Sequence, residues 1–290
     1  MLGVPAIIAG CDEIILCTPP DKNGNINPVI LYTANLIGIT KVFKVGGAQA
    51  IAAMSLGTPS IPNVYKIFGP GNQYVTAAKQ KAQQMGIAID MPAGPSELMV
   101  VADETGNPAF VAADLLSQAE HGADSQVICI THSEQLRDEV IQAIEIQLSD
   151  LPRAEIARQA LNNSSFIVFD KRQASLEFIN AYAPEHLILS TSENDFYCQH
   201  LKNAGSVFLG NYTPESAGDY ASGTNHTLPT ASFARTYSGV NLDSFVKKIT
   251  FQEINSEGIK DLGPAIEIMA EAESLMAHKN AVSVRLDTLN

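Results

Sequence analysis

Gln118 and His121 stand three residues apart at the end of an apolar-periodic segment, Leu115-Leu-Ser-Gln-Ala-Glu-His-Gly-Ala-Asp124. On a helix that spacing puts both side chains on one face, and Gly122 then ends the helix at an open rim. A neutral imidazole and an amide oxygen pointing the same way can begin a site for a hard-to-borderline metal ion; the same pair could equally be a solvated helix end. Glu185 and His186 are adjacent at the entry of a predicted strand and can supply two proton-transfer groups. Histidine titrates near neutrality, and burial raises a glutamate toward it, although a surface Glu beside a packed His has the same spelling. The stretch from Tyr212 to Pro229 reads as a long loop dense in Gly, Ser, Asp and His. Asp219 offers it a hard carboxylate oxygen, and His226 is a competing ligand. His278 could complete a site with Gln118, His121 and Asp219. Two histidines, a carboxylate and an amide oxygen suit zinc or a similar divalent ion. Spacing alone does not bring these four together.

The elements that must position these residues alternate. Short apolar strands are predicted at Ile14–Cys17, Val42–Val45, Val64–Phe68 and Ile87–Asp90, with helices over Pro28–Leu36, to Met54 and to about Met85 between them. Such alternation indicates a parallel sheet covered on both faces, in a doubly wound, Rossmann-like arrangement. Ligands bind beyond the carboxyl ends of strands in such sheets. Gly46-Gly-Ala-Gln49 and Gly69-Pro-Gly-Asn72 fall there, where glycines and a helix start can receive a phosphate. Neither is a GxGxxG fingerprint, and both also read as tight strand-to-helix turns. Met91-Pro-Ala-Gly-Pro-Ser-Glu97 looks like a crossing between domains. Strands at Glu97–Ala102, Gln126–Thr131, Phe166–Phe169, Leu187–Ser190 and Ser206–Leu209 then alternate with helices from Asn107 or Pro108, from Ser133 (a predicted N-cap) to Ser149, and from Arg172 to Tyr182. The tail reads as a strand over Phe245–Phe251, a helix over Pro264–His278 and an extended end over Ala281–Arg285. Glu273 and His278 lie five apart near the end of that helix, off a single line.

These patterns predict an α/β protein with two Rossmann-like doubly wound domains and a helical and extended C-terminal tail. The domains are expected at 1–95, with glycine turns on the cofactor side, and at 96–240, with the metal and acid/base residues. A dimerisation tail is expected at 241–290. The chain opens inside a βα unit, with about two turns of helix before the first strand, which suggests a missing N-terminal portion.

At 290 residues the chain can bury a large core, and 46% hydrophobic with 17% charged residues is ordinary for a soluble globular protein. A net charge of -13 opposes binding to nucleic acid or anionic membrane. No apolar run reaches spanning length, and MLGVPAIIAG lacks the basic start of a signal peptide. Cys11, Cys17, Cys129 and Cys198 show no CxxC spacing and read as reduced, buried thiols in a cytoplasmic compartment.

Six segments taken together resemble the histidinol dehydrogenase family: GPGN at 69–72, DMPAGPSE at 90–97, LLSQAEHG at 115–122, APEHL at 183–187, SAGDYASGTNH at 216–226 and AHKNAV at 277–282. They run through nearly the whole chain in the family's order. The resemblance implies a zinc-dependent, NAD-dependent oxidation of L-histidinol to L-histidine through L-histidinal, the last steps of histidine biosynthesis. It implies that Gln118, His121, Asp219 and His278 hold zinc and also contact substrate, and that Glu185 and His186 are the acid/base pair, with His186 also at the substrate. It further implies substrate contacts from Ser96 and Glu273, and cofactor contacts from Gln49 and Asn72. It assigns no ligand role to His226. It implies a homodimer with intertwined tails, in which His278 and Glu273 reach the other subunit's site. The family's chains begin well upstream of Met1, so the second α/β domain is expected to lack strands and the cofactor pocket a part. The alternatives are a truncated inactive fragment of that enzyme, or a zinc hydrolase that uses the same ligands with Glu185 as base.

Overall fold

The computed structural model describes residues 1–92 and 94–289. It divides into two compact units, Met1–Val246 and Lys247–Asn290. The first unit opens with α1 (Gly3–Ile8), β1 (Ile15–Cys17), α2 (Pro28–Leu36), β2 (Lys41–Phe43), α3 (Gly47–Leu56), β3 (Lys66–Ile67), α4 (Gln73–Gln84) and β4 (Ala88–Ile89). All pairing here is parallel, as the alternation predicts. The strands are only two or three residues long, however, and among the described residues they form two separate two-stranded sheets, β1-β2 and β3-β4. Ala50, Ile51, Met54, Ile67, Val75 and Ala82 pack α3, α4 and β3 into one small core.

The chain continues through β5 (Glu97–Ala102), α5 (Pro108–Ala119), β6 (Gln126–Thr131), α6 (Glu134–Leu148), α7 (Ala154–Leu161), β7 (Ser165–Val168), α8 (Arg172–Tyr182), β8 (His186–Ser190), α9 (Asn194–His200), β9 (Ser206–Leu209) and α10 (Glu215–Tyr220). The strands form a five-stranded parallel sheet in the order β7-β6-β5-β8-β9. Its central strand, β5, is apolar on both faces because helices cover both. Leu98, Val100 and Ala102 pack toward α5 and α6, whereas Met99 and Val101 pack toward α8 and Tyr197 of α9. Each of the Leu, Val and Met side chains contributes ~1.5–3 kcal/mol of burial. Asn107 and Ser133 cap α5 and α6 through their side chains, the latter as the sequence predicts.

The second unit is a pair of packed helices, α11 (Ser256–Ala272) and α12 (Met276–Asp287). Three expectations are corrected here. Phe245–Phe251 forms no strand: Leu242–Phe245 is a 3-10 turn, and the residues after it are irregular, with Phe251 exposed. Ala281–Arg285 is helical rather than extended. Its Ala-Val-Ser-Val alternation mimics a strand, but Val282 is buried, the Ser283 hydroxyl reaches the Glu267 carboxylate, and Leu286 lies over Gly263. Nor is Pro264–His278 one helix, because α11 ends at Ala272 and Ser274 takes a left-handed φ of 62° before α12 begins. Among the described residues, no helix is long and apolar enough to cross a membrane.

Candidate active site

The strand register places His186 at the first position of β8, between Leu98 of β5 and Ser206 of β9. Ser96 and Glu97 lie at the adjacent entry of β5. Because α5 runs back against the sheet, Gln118 near its C-terminus returns to this same amino edge; the helix ends at Ala119, so His121 follows in the turn after it rather than on the helix face that the spacing predicts. The opposite, carboxyl edge is closed between β5 and β8, where both Asp103 carboxylate oxygens are engaged. Oδ1 takes the Thr105 N–H at 2.9 Å, and Oδ2 takes the Ser192 N–H and Oγ–H, each at 2.7 Å. The site of the five-stranded sheet is therefore at its amino edge, facing the Gly69–Gly71 turn at the carboxyl end of β3.

A cavity of about 310 Å³ lies between them. Its walls include Gln118, His121, Glu185, His186, Asp219 and Ser96, so these candidates from four separate segments converge. The turn Gly69-Pro-Gly71 with Lys79 and Asp90 forms another wall, and Glu215 and His226 face the same space. Gln49 and Asn72 are exposed and do not line the cavity; they sit in the first turn of α3 and at the N-cap of α4. The Asn72 Oδ1 is used locally, accepting the N–H groups of Tyr74 and Val75 at 3.1 and 3.2 Å. Glu273 is the C-cap of α11 and His278 lies in the first turn of α12, within the second unit.

Three side chains offer ligand atoms within 4.8 Å of one another: His121, Glu215 and Asp219. Glu215 and Asp219 are one turn apart on α10, a helix inside the stretch read from sequence as a loop. Gly218 lets α10 approach β9, since a Cβ there would meet the Phe208 ring at 2.7 Å. Sequence reading missed Glu215; its signal was the i, i+4 spacing to Asp219 directly after Pro214. Gln118 is fully buried, and neither of its amide atoms has a hydrogen-bond partner among the described residues, nor has Oε2 of Glu215. Buried polar groups of this kind normally find a partner. One imidazole, two carboxylates and a vacant amide oxygen around one space are a donor set that fits a divalent cation.

Glu185 and His186 are held by the main chain of Glu97. The Glu97 N–H donates to Glu185 Oε2 at 2.9 Å, and His186 Nδ1 lies 3.2 Å from the Glu97 carbonyl oxygen. A carbonyl only accepts, so Nδ1 carries the proton in this contact and Nε2 keeps its lone pair. Burial holds the His186 imidazole neutral, pulling its pKa down to about 4. Burial pushes Glu185 well above the usual carboxylate range, helped by the neighbouring carboxylates Glu215, Glu97 and Asp219 and opposed by the Glu97 N–H. Burial also raises Glu215 to about 8, with Asp219 and Asp114 adding to it. The local backbone enforces this placement: Ala183 ends α8 with a left-handed φ of 58°, turning the chain into Pro184-Glu185-His186. Gly205 then packs so closely that a Cβ would lie 2.5 Å from the Glu185 carbonyl oxygen.

A family model described as histidinol dehydrogenase matches residues 1–286. The histidinol dehydrogenase of Bacteroides thetaiotaomicron is 64% identical over 289 residues, which cover 100% of this chain and 68% of that protein. The Haemophilus influenzae protein of the same name is 55% identical over 290 residues, covering 67% of its length. A crystal structure of histidinol dehydrogenase from Elizabethkingia anophelis superposes with a TM-score of 0.98 at 64% identity, covering 100% of this chain and 67% of that one. The chain belongs to the histidinol dehydrogenase family, oxidoreductases of histidine biosynthesis.

Proposed function

We propose that this chain carries out the oxidation of L-histidinol to L-histidine through L-histidinal, with NAD as oxidant and zinc as the bound cation. The observation that supports this most is the single cavity that gathers Gln118, His121 and Asp219 beside the Glu185–His186 pair. A divalent cation held by Gln118, His121 and Asp219, with His278 supplied from the tail, provides fixed positive charge that orients the nitrogen donors of histidinol. NAD provides the hydride acceptor. In a homodimer with intertwined tails, His278 and Glu273 of one subunit complete the site of the other.

The chain's own groups handle protons. Neutral His186 takes the alcohol proton at Nε2 as hydride leaves the carbinol carbon, giving the aldehyde. Glu185 then takes a proton from water at Oε1, the oxygen that Glu97 does not bind, as that water adds to the aldehyde carbon. His186 returns its proton to the former carbonyl oxygen, and the resulting hydrate loses a hydride to a second NAD and a proton to His186 to give the acid. Burial of both groups keeps bulk water from the reactive aldehyde. Ser96, at the cavity wall, contacts the substrate, while Gln49 and Asn72 contact the cofactor at the helix starts. The test is paired: Glu185→Gln keeps metal and the alcohol-to-aldehyde half but slows the aldehyde-to-acid half, measured with L-histidinal as substrate. An unchanged second half-reaction overturns the assignment.

A further inference from the structure

Lys79 and Asp90 form an ion pair in the cavity wall, with side chains 3% and 0% exposed. A buried pair is a weak source of stability, since desolvating two charges offsets most of their attraction. The other contacts of this pair share one target. Asp90 Oδ2 accepts the Gly69 N–H at 2.8 Å, and Lys79 Nζ donates to the Gly69 carbonyl at 3.0 Å. Oδ1 of Asp90 also takes the Met91 N–H at 2.7 Å, which anchors the carboxylate. Both polar groups of one peptide residue are thus clamped, one by each member of the pair. Gly69 has a φ of 139°, which side-chain-bearing residues rarely adopt, and the space before it is open, with nothing within 4 Å of where a Cβ would stand. The clamped residue begins the turn Gly69–Asn72 that enters the twelve-residue helix α4.

We propose that Lys79 and Asp90 are positioning residues for the dinucleotide: their ion pair fixes the Gly69–Asn72 turn in the conformation that receives it. This rests on the NAD reading given above. Lys79 acts as a fixed point charge already committed to Asp90 and to the Gly69 carbonyl, so its effect on the cofactor passes through the backbone.

The experiment compares Lys79→Met, Asp90→Asn and the double variant Lys79→Met/Asp90→Asn with the unaltered chain. It reads NADH binding by cofactor fluorescence, bound zinc, thermal midpoint, and the KM values for NAD and histidinol. Each single variant leaves one charge buried without its partner and melts lower; the double variant removes both charges and recovers most of the midpoint. The double variant nevertheless binds NADH at least about tenfold more weakly, with a matching rise in KM for NAD. Its zinc content and KM for histidinol stay near those of the unaltered chain. Recovery of NADH affinity along with the melting midpoint in the double variant overturns the proposal, because the pair would then act through stability alone. Failure of the unaltered, folded, zinc-loaded chain to bind NADH overturns the NAD reading and this inference with it.

Discussion

The carboxylate of Glu185 accepts the backbone N–H of Glu97 at 2.9 Å, across 88 residues of sequence. That contact fixes the proposed acid/base pair to the entry of the central strand, and the side chain of Glu97 extends the link by taking the Ala231 N–H at 2.9 Å. Glu185, the histidine beside it and the loop at Ala231 therefore share one anchor.

Gly205 supports that anchor from the other side. In Gly205→Ala the new Cβ meets the Glu185 carbonyl oxygen at 2.5 Å, and a backbone atom in a parallel sheet cannot swing away. The expected outcome is a loss of about 1–3 kcal/mol and a fall in kcat of at least about tenfold. A core variant of similar cost far from the site, Val140→Ala, is the control: assayed well below both melting midpoints, it keeps its kcat.

The metal donors make a second prediction. His121→Ala removes one of three ligand atoms that lie within 4.8 Å of one another, and His278→Ala removes the ligand proposed from the tail. Each weakens zinc retention on dialysis by at least about tenfold. Full zinc in dialysed His278→Ala protein would show that the tail histidine is no ligand.

Asp114 carries a pH prediction. Burial raises its pKa from 3.8 to about 7. A carboxyl raised on folding stabilises fully below its unfolded pKa, and that contribution is lost as pH rises through its folded value. Metal-free protein is therefore expected to lose stability between pH 4 and pH 7 on this account, by roughly 2 kcal/mol once partial exposure is allowed for. Asp114→Asn makes that slope shallower by Asp114's share and leaves the share of the other raised carboxyls, Glu185 and Glu215; urea midpoints of both proteins at the two ends of the window check it.

Much of the site was legible because its residues obey local rules. The i, i+3 spacing brought Gln118 and His121 to one cavity although α5 ends at Ala119 and His121 lies in the turn beyond it, and Glu185-His186 leads into a strand as its apolar continuation implies. Glu215 left only the i, i+4 spacing to Asp219 as a signal, since a six-residue helix with Ser216, Gly218 and Asp219 inside it has weak local propensity and packs on β9 and α5. The Glu97 anchor and the Lys79–Asp90 clamp depend on contacts between distant segments, which no period reveals. The Gly69 turn lies at a strand's carboxyl end, where the rule for such sheets expects a ligand, but the candidate groups of the five-stranded sheet lie at its amino edge. In the tail, Ala281–Arg285 carried a strand-like alternation that helix-on-helix packing overrode.

The central claim is tested most directly by following NADH formation when the purified chain is given L-histidinol, NAD and zinc. The account predicts a pair of NADH molecules for each L-histidine formed, lost in His186→Ala. A folded, zinc-loaded chain that produces no NADH from L-histidinol, or that turns it over without NAD, would contradict it.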